Sequence, residues 1–322
     1  MPGYARLNDV RSMRPANDPR VPPSAGKMPA CRNPRDMPHI CYNGIGGGMM
    51  DIFEAETTED GLELYRLGAW QRKFPGLSAG ITSRIGGEGE APYDTLNCAL
   101  HVGDDPRIVI ENRKKVSRAA GFAPEAWTCA EQVHGCRVHI VGESERGAGL
   151  TSRESAIPDA DALATDRRGL MLTAFYADCV PIFLLDPDRR AVALAHAGWK
   201  GTALNIAGET VAAMRRAFGS RPERLLAAIG PAIGGCCYEV DSRVVEQIGA
   251  PPPPRKENGR FMLDLKEINR QFMIRAGLLP IHIEVSGYCT RCSADRFFSH
   301  RAGGGRTGRM AAWIGWRNEV NT

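Results

Sequence analysis

From about Leu64 onward, the apolar positions of the chain switch repeatedly between helical and strand spacing, as expected of a mixed body of helices and strands. Asp105-Pro106 supplies an N-cap with proline at the first helical position. Val109, Arg113, Val116 and Ala120 continue that helix until Gly121 stops it. Gly169–Tyr176, Val180–Leu185 and Ala191–Ala195 are apolar runs of strand length. Helical spacing returns over Thr202–Phe218, with Ile206, Ala207, Val211, Met214 and Phe218 along one face. Asp264-Leu-Lys-Glu267 has the form of a capping box and opens a helix that ends at Gly277. Ile281–Ser286 alternates as a strand does, with Ile281, Ile283 and Val285 facing one way. Pro251–Pro254 reads as a rigid loop within the body, because strong patterning continues on both sides. The pattern predicts a single domain over residues 64–320, with no internal repeat.

Residues 1–48 are different. They include eight prolines and six glycines and show no apolar periodicity. Such a segment buries too little surface to offset its ordering entropy, so a disordered tail is expected. Arg6, Arg11, Arg14 and Arg20 would suit a transit peptide, but Pro15, Pro19, Pro22 and Pro23 break the amphipathic helix such peptides need.

Charge refines this picture. The net charge of +4 is carried by the tail, whose seven Lys/Arg face three Asp/Glu. The body is then neutral and offers no basic field for a phosphate backbone, so no nucleic-acid partner is expected. No apolar run is long enough to span a membrane and Met1 opens no signal-peptide pattern, so the expected location is the cytoplasm. The ten cysteines form no evenly spaced framework; in a reducing compartment they read as thiols or metal ligands.

Three segments set a metal-ligating side chain beside glycine or at a strand end: Glu131-Gln-Val-His134-Gly135, Ala177-Asp178-Cys179-Val180-Pro181 and Ala195-His196-Ala-Gly-Trp-Lys-Gly201. Two imidazoles and a thiolate suit zinc, and three protein ligands leave a fourth position open. The three lie far apart in sequence, so only a folded sheet brings them together. Each alone reads equally as a structural histidine or a small buried thiol.

These segments also occur in order with further motifs. They are Asp159-Ala-Asp-Ala162, Ile229-Gly-Pro-Ala-Ile-Gly234, Cys237-Tyr-Glu-Val240, Cys289-Thr290, Phe297-Phe-Ser-His-Arg301 and Thr307-Gly-Arg-Met310. Ser83-Arg84-Ile-Gly-Gly87 and Leu96-Asn97 extend the set towards the N-terminus. Together they closely resemble the laccase-domain proteins, also called polyphenol oxidoreductases, over about residues 70–316. The resemblance implies an α+β fold of two mixed β-sheets packed together with flanking helices. It implies a purine nucleoside phosphorylase that also deaminates adenosine. Adenosine, inosine, guanosine and S-methyl-5'-thioadenosine are its expected nucleosides, with phosphate as co-substrate and ribose 1-phosphate as product. It implies zinc on His134, Cys179 and His196, with copper as the alternative ion. Asp178 and Cys179 become the expected catalytic residues, Arg84, Asn97 and Lys200 the expected substrate contacts, and a monomer the expected state. Two positions depart from the family pattern: Lys200 stands where arginine is common, and Tyr176 where a small hydroxyl residue is usual.

Other readings of the same residues stay open. A copper-dependent polyphenol oxidase needs His-rich clusters, whereas the seven histidines here are mostly isolated. A hydrolase that edits peptidoglycan precursors could use the same zinc site. Arg301 and Arg309 flank Gly303-Gly-Gly305, either an anion-binding loop or a solvated turn. Cys289 reads as a buried structural thiol. His282-Ile-Glu284 with Cys289-Thr-Arg-Cys292 imitates a base-deaminase zinc signature, but the cysteine pair follows too soon and Tyr288 replaces the expected proline. The adjacent Cys236-Cys237 is not expected to bind one zinc as a pair. Deleting residues 1–48 is expected to leave melting temperature and activity nearly unchanged; a marked drop in either would show that the tail packs on the body.

Overall fold

The computed structural model describes residues 51–249, 253 and 255–318. The tail 1–48 and most of the proline run lie outside these residues. In chain order the first elements are β1 (Glu54–Thr57), β2 (Glu63–Arg66), α1 (Gly68–Lys73), β3 (Leu77–Thr82), α2 (Pro106–Ala119), β4 (Trp127–Cys129) and β5 (Val138–Ile140). The middle of the chain forms β6 (Ala162–Thr165), β7 (Met171–Tyr176), β8 (Val180–Asp186), β9 (Ala191–Ala197), α3 (Trp199–Ala203) and α4 (Ile206–Phe218). The remainder is β10 (Leu226–Ile229), β11 (Glu239–Val240), α5 (Ser242–Ile248), β12 (Phe261–Met262), α6 (Leu265–Arg275), β13 (Ile283–Val285) and β14 (Met310–Trp316).

The strands build two mixed six-stranded sheets, ordered β1-β2-β3-β14-β7-β4 and β13-β10-β8-β9-β6-β5, with β11 and β12 as a separate pair. This is the expected single α+β domain. Pairing is antiparallel except β4–β7, β5–β6 and β10–β13. The sheets stack face to face. Leu172, Ala174 and Ile314 of the first meet Phe183, Leu185, Val192 and Leu194 of the second in one core cluster. The outer face of the second sheet carries Val180, Ile182 and Leu184 against Ile206, Val211 and Met214 of α4. On β9 that face is a row of alanines, Ala191, Ala193, Ala195 and Ala197, whose short side chains let the helix close on the sheet. Covered on both faces, β8 and β9 therefore read as continuous apolar runs. The outer face of the first sheet packs Trp127, Met171, Phe175 and Trp313 with Val116 and Ala120 of the α2 segment. Each large side chain buried this way contributes about 1.5–3 kcal/mol.

Local signals held at most element ends. Asp105 caps α2 by accepting from Arg107 N–H, and Asp264 caps α6 by accepting from Lys266 and Glu267 N–H. The second half of the expected capping box is absent, because the Glu267 carboxylate accepts instead from Arg270 and Gln271. Two expectations need correction. The helix expected over Thr202–Phe218 is broken between α3 and α4 at Asn205. That residue takes a left-handed φ of 59° and accepts from Gly208 N–H to start a new helix, a conformation asparagine tolerates through such local bonds. The strand expected from Ile281 begins only at Ile283. Pro280 opens a 3-10 turn that leaves Ile281 85% exposed.

Arg113 is the largest charged group in the interior, 2% exposed on α2. It donates to the carbonyls of Cys98, Gly149 and Leu150, and its guanidinium packs 5.3 Å from the Trp127 ring and 4.7 Å from that of Phe175. Its removal would leave three buried acceptors unsatisfied together with a cavity. Arg113→Ala is therefore expected to lower unfolding free energy by about 3–5 kcal/mol. Urea denaturation checks this, and a loss under about 1 kcal/mol would show that water replaces the guanidinium.

Candidate functional site

The three expected ligands meet where the chain passes between the sheets. His134 lies on the β4–β5 crossing, Cys179 on the β7–β8 crossing, and His196 near the end of β9 on the face of Val192 and Leu194. Their ligand atoms lie within 4.8 Å of one another. Tight backbone turns aim them: Gln132, His134 and Asp178 all have positive φ, 60°, 63° and 87°.

Asp161, just before β6, holds the first turn. It is 2% exposed. Its carboxylate accepts from the N–H groups of Val133 (3.1 Å), His134 (2.9 Å) and Gly135 (2.7 Å) and lies 3.0 Å from His196 Nδ1. The Asp161 carbonyl also accepts from His196 N–H. The Gln132 amide ties the same crossing to both backbone groups of Phe175. On the second crossing, Asp178 accepts from Thr290 Oγ1 and Arg301 N–H, each at 2.7 Å. Gly198 keeps the centre open, since a Cβ there would stand 2.9 Å from the His134 ring and 3.0 Å from Cys179 Sγ.

The electrostatics follow from this packing. Burial would raise the Asp161 carboxyl, but the His196 imidazole and the His134 and Gly135 amides outweigh it and hold its pKa below the usual value. Burial also acts against ionisation of Cys179, yet His196 and His134 bring its thiol down to about 6. His196 is opposed by burial and raised by Cys179 and Asp161 to about 9. The metal-free pair is therefore thiolate and imidazolium at neutral pH. With Nδ1 held by Asp161, His196 presents Nε2 to the centre, the arrangement that orients metal-bound histidines. Two imidazoles and a low-pKa thiolate around a space closed to any Cβ fit a zinc-class ion, and the same donors accept copper.

Beside this centre opens a cavity of about 450 Å³. Phe175, Trp199 and Tyr238 supply aromatic wall, Lys200, Arg301 and Arg309 positive charge, and Asp178 a carboxylate whose oxygens are already bonded. The expected contact Lys200 and the expected catalytic residues Asp178 and Cys179 thus line the cavity. Arg84 and Asn97 do not. The Arg84 guanidinium donates to the Asp94 and Ala294 carbonyls, pairs with the Asp94 carboxylate at 3.0 Å and covers the Phe298 ring. Asn97 is fully buried and accepts from Arg309 N–H, bracing a residue of the wall. Among the open alternatives, Arg309 and Arg301 join the cavity, whereas Glu284 turns away to accept from Trp70.

Sequence alone did not single out Asp161, His101, His300 or the aromatic wall of Phe175, Trp199 and Tyr238. Asp161 stood inside a quoted motif, and a carboxylate opening an apolar strand was its available signal. His300 likewise stood inside the quoted Phe297-Phe-Ser-His-Arg301 motif, whereas His101 carries no local signal. His101 stands at the cavity mouth, open to solvent on one side. Partial burial and the neighbouring Arg309, Arg153 and Arg113 push its pKa down, so its ring is neutral at pH 7. If the His134, Cys179 and His196 group holds a metal ion, Asp161→Asn is expected to weaken its binding roughly 10–100-fold by loosening His196 and the His134 turn. Competition with a chelator measures it; unchanged affinity would show that the turn holds itself.

A family model described as multi-copper polyphenol oxidoreductase laccase matches residues 78–317. A protein named purine nucleoside phosphorylase YlmD, from Geobacillus stearothermophilus, is 44% identical over 282 residues, 84% of this chain and 99% of that protein. One named adenosine deaminase RL5, from an unknown prokaryotic organism, is 33% identical over 260 residues, 79% and 98% of the two chains. The crystal structure of YlmD from Geobacillus stearothermophilus superposes with a TM-score of 0.78 at 43% identity, covering 84% of this chain and all of that one. The chain belongs to the multi-copper polyphenol oxidoreductase laccase family.

Proposed function

We propose that the chain is a zinc-dependent purine nucleoside phosphorylase that also deaminates adenosine. One observation carries this reading: three ligands converge beside a cavity that joins aromatic walls to a cationic edge. The volume suits a nucleoside-sized ligand, and the relatives' names point to the same chemistry. In phosphorolysis the C1′–N9 bond breaks, a phosphate oxygen bonds to C1′, and the base leaves after taking up a proton. In deamination water adds at C6 of the purine and ammonia leaves.

A zinc ion held by His134, Cys179 and His196 would supply Lewis acidity at the edge of the cavity. The protein's own groups do the rest. Phe175, Trp199 and Tyr238 stack against the flat base and exclude water. Lys200 and the Arg309 donors that Thr307 and Gly308 do not engage bind the phosphate. Asp178 is a positioning residue that fixes the Cys179 turn to Thr290 and the Arg301 backbone. Among the described residues the other candidate metal group contains no histidine, which supports a single-ion centre over a multi-copper oxidase.

The test is to incubate the purified protein with adenosine, with and without phosphate, and identify the products. Hypoxanthine, adenine and ribose 1-phosphate are expected with phosphate, inosine alone without it. Arg309→Met should slow base release about tenfold to a hundredfold, the loss of a charge-assisted contact of about 1.5–3 kcal/mol. Deamination, which uses no phosphate, should suffer less, and Arg84→Ala should lower stability without raising the phosphate requirement. Equal loss of both activities in Arg309→Met would remove the phosphate assignment; oxidation of phenols without nucleoside turnover would remove the reading itself.

A further inference from the structure

A second group of ligand atoms lies behind the cavity wall. Cys236 and Cys237 sit in the turn after β10, and Cys289 and Cys292 in the loop after β13. All four sulfurs lie within 4.8 Å of one another. Cys292 Sγ is 3.7 Å from Cys236 Sγ and 3.3 Å from Cys237 Sγ. Adjacent cysteines ordinarily diverge, but here the backbone turns on itself, with the Cys237 and Tyr238 N–H groups both donating to Gly234 O, and both sulfurs reach one partner. With metal–sulfur bonds of about 2.3 Å, a regular tetrahedron of sulfurs has edges of about 3.8 Å. The two Cys292 separations lie within about half an ångström of that edge, and the remaining pairs are no more than 4.8 Å apart. We propose that Cys236, Cys237, Cys289 and Cys292 form a tetrathiolate site for one zinc ion, distinct from the His134, Cys179 and His196 centre.

The surroundings suit such a site. Cys237 and Cys289 are buried with Ile233, and Tyr238 packs on the cluster, which limits access of water. Gly234 N–H donates to Cys289 Sγ at 3.2 Å, the kind of bond that stabilises metal-bound sulfur. Gly234 also lets the sulfurs approach, since a Cβ there would stand 3.2 Å from Cys236 Sγ. The buried Lys266 ammonium donates to the Ser286 and Tyr288 carbonyls, which sets a positive charge beside the loop that carries Cys289. Binding converts four thiols and one divalent ion into a complex of net charge −2 and releases four protons.

The role is structural. Among these cysteines lies Thr290, whose hydroxyl holds Asp178, and Ile233 N–H donates to the Asp178 carbonyl. Ile233 and Tyr238 face the cavity. An ion clamping the two loops fixes the wall opposite the catalytic centre and backs the turn that carries Cys179.

Metal analysis of the full chain, purified with a thiol reductant and no chelator, tests the proposal. About two zinc ions per chain are expected, about one in Cys292→Ser, and about one in Cys179→Ser. The retained ion in Cys179→Ser makes the two sites separable: its presence supports the tetrathiolate whatever the other centre holds. Cobalt-substituted Cys179→Ser should show the intense sulfur-to-metal absorption of four thiolates, whereas Cys292→Ser should keep only the several-fold weaker band of the single Cys179 thiolate. Should Cys292→Ser fail to fold, the wild-type chain is titrated with a mercurial while a coloured chelator follows zinc. Release coupled to reaction of these four thiols, located by peptide mapping, supports the site. Equal zinc content in wild type and Cys292→Ser, iron in place of zinc, or a Cys236–Cys292 or Cys237–Cys292 disulfide in the metal-containing protein overturns it.

Discussion

One buried carboxylate organises the centre of this molecule. Asp161 gathers three consecutive backbone N–H groups of the His134 turn and the Nδ1 of His196, so that two candidate ligands, one on the β4–β5 crossing and one on β9, take their positions from a single group. The residue gives the His134 turn a reason to adopt a positive φ, because the aligned amides are satisfied only in that conformation. It also decides which imidazole nitrogen of His196 faces the cavity. A charge this deeply buried is tolerable only because every side of it is bonded.

The rest of the fold serves this arrangement. Two sheets packed face to face have a core between them that is filled by Leu, Val, Ile and Phe, and the chain must cross from one sheet to the other at its ends. Those crossings are the places where backbone can depart from strand geometry without breaking a ladder. His134 and Cys179 lie there, and His196 meets them from the end of β9. Tyr176 secures the junction, its hydroxyl donating across the sheets to the Ala195 carbonyl.

Part of the cavity wall belongs to loops: the turn after β10 supplies Ile233 and Tyr238, and the loop before β14 supplies His300, Arg301 and Arg309. Loops lack ladder bonds, so their positions depend on side chains. Asp178, Asn97 and the cysteine cluster supply those contacts, and each ties a wall segment to the framework.

Much of this was legible in the chain itself. The continuous apolar runs of β8 and β9 announce strands covered on both faces, and Asp105 and Asp264 mark helix starts because capping is local chemistry. The three glycine-flanked ligand segments were likewise visible, and the family resemblance supplied their common purpose and the two-sheet fold. Tertiary structure alone decided which groups meet. Arg84 reads as an anion contact until Asp94 and Ala294 are seen to occupy it; Asp161 gains its role only when the His134 turn folds over it. The cysteines at 236, 237, 289 and 292 look like two doubtful pairs until two loops bring them together. Periodicity and caps report the face a residue turns to the core over a few neighbours. Convergence of distant side chains is set by sheet order and crossings, for which no stretch of sequence carries a local signal.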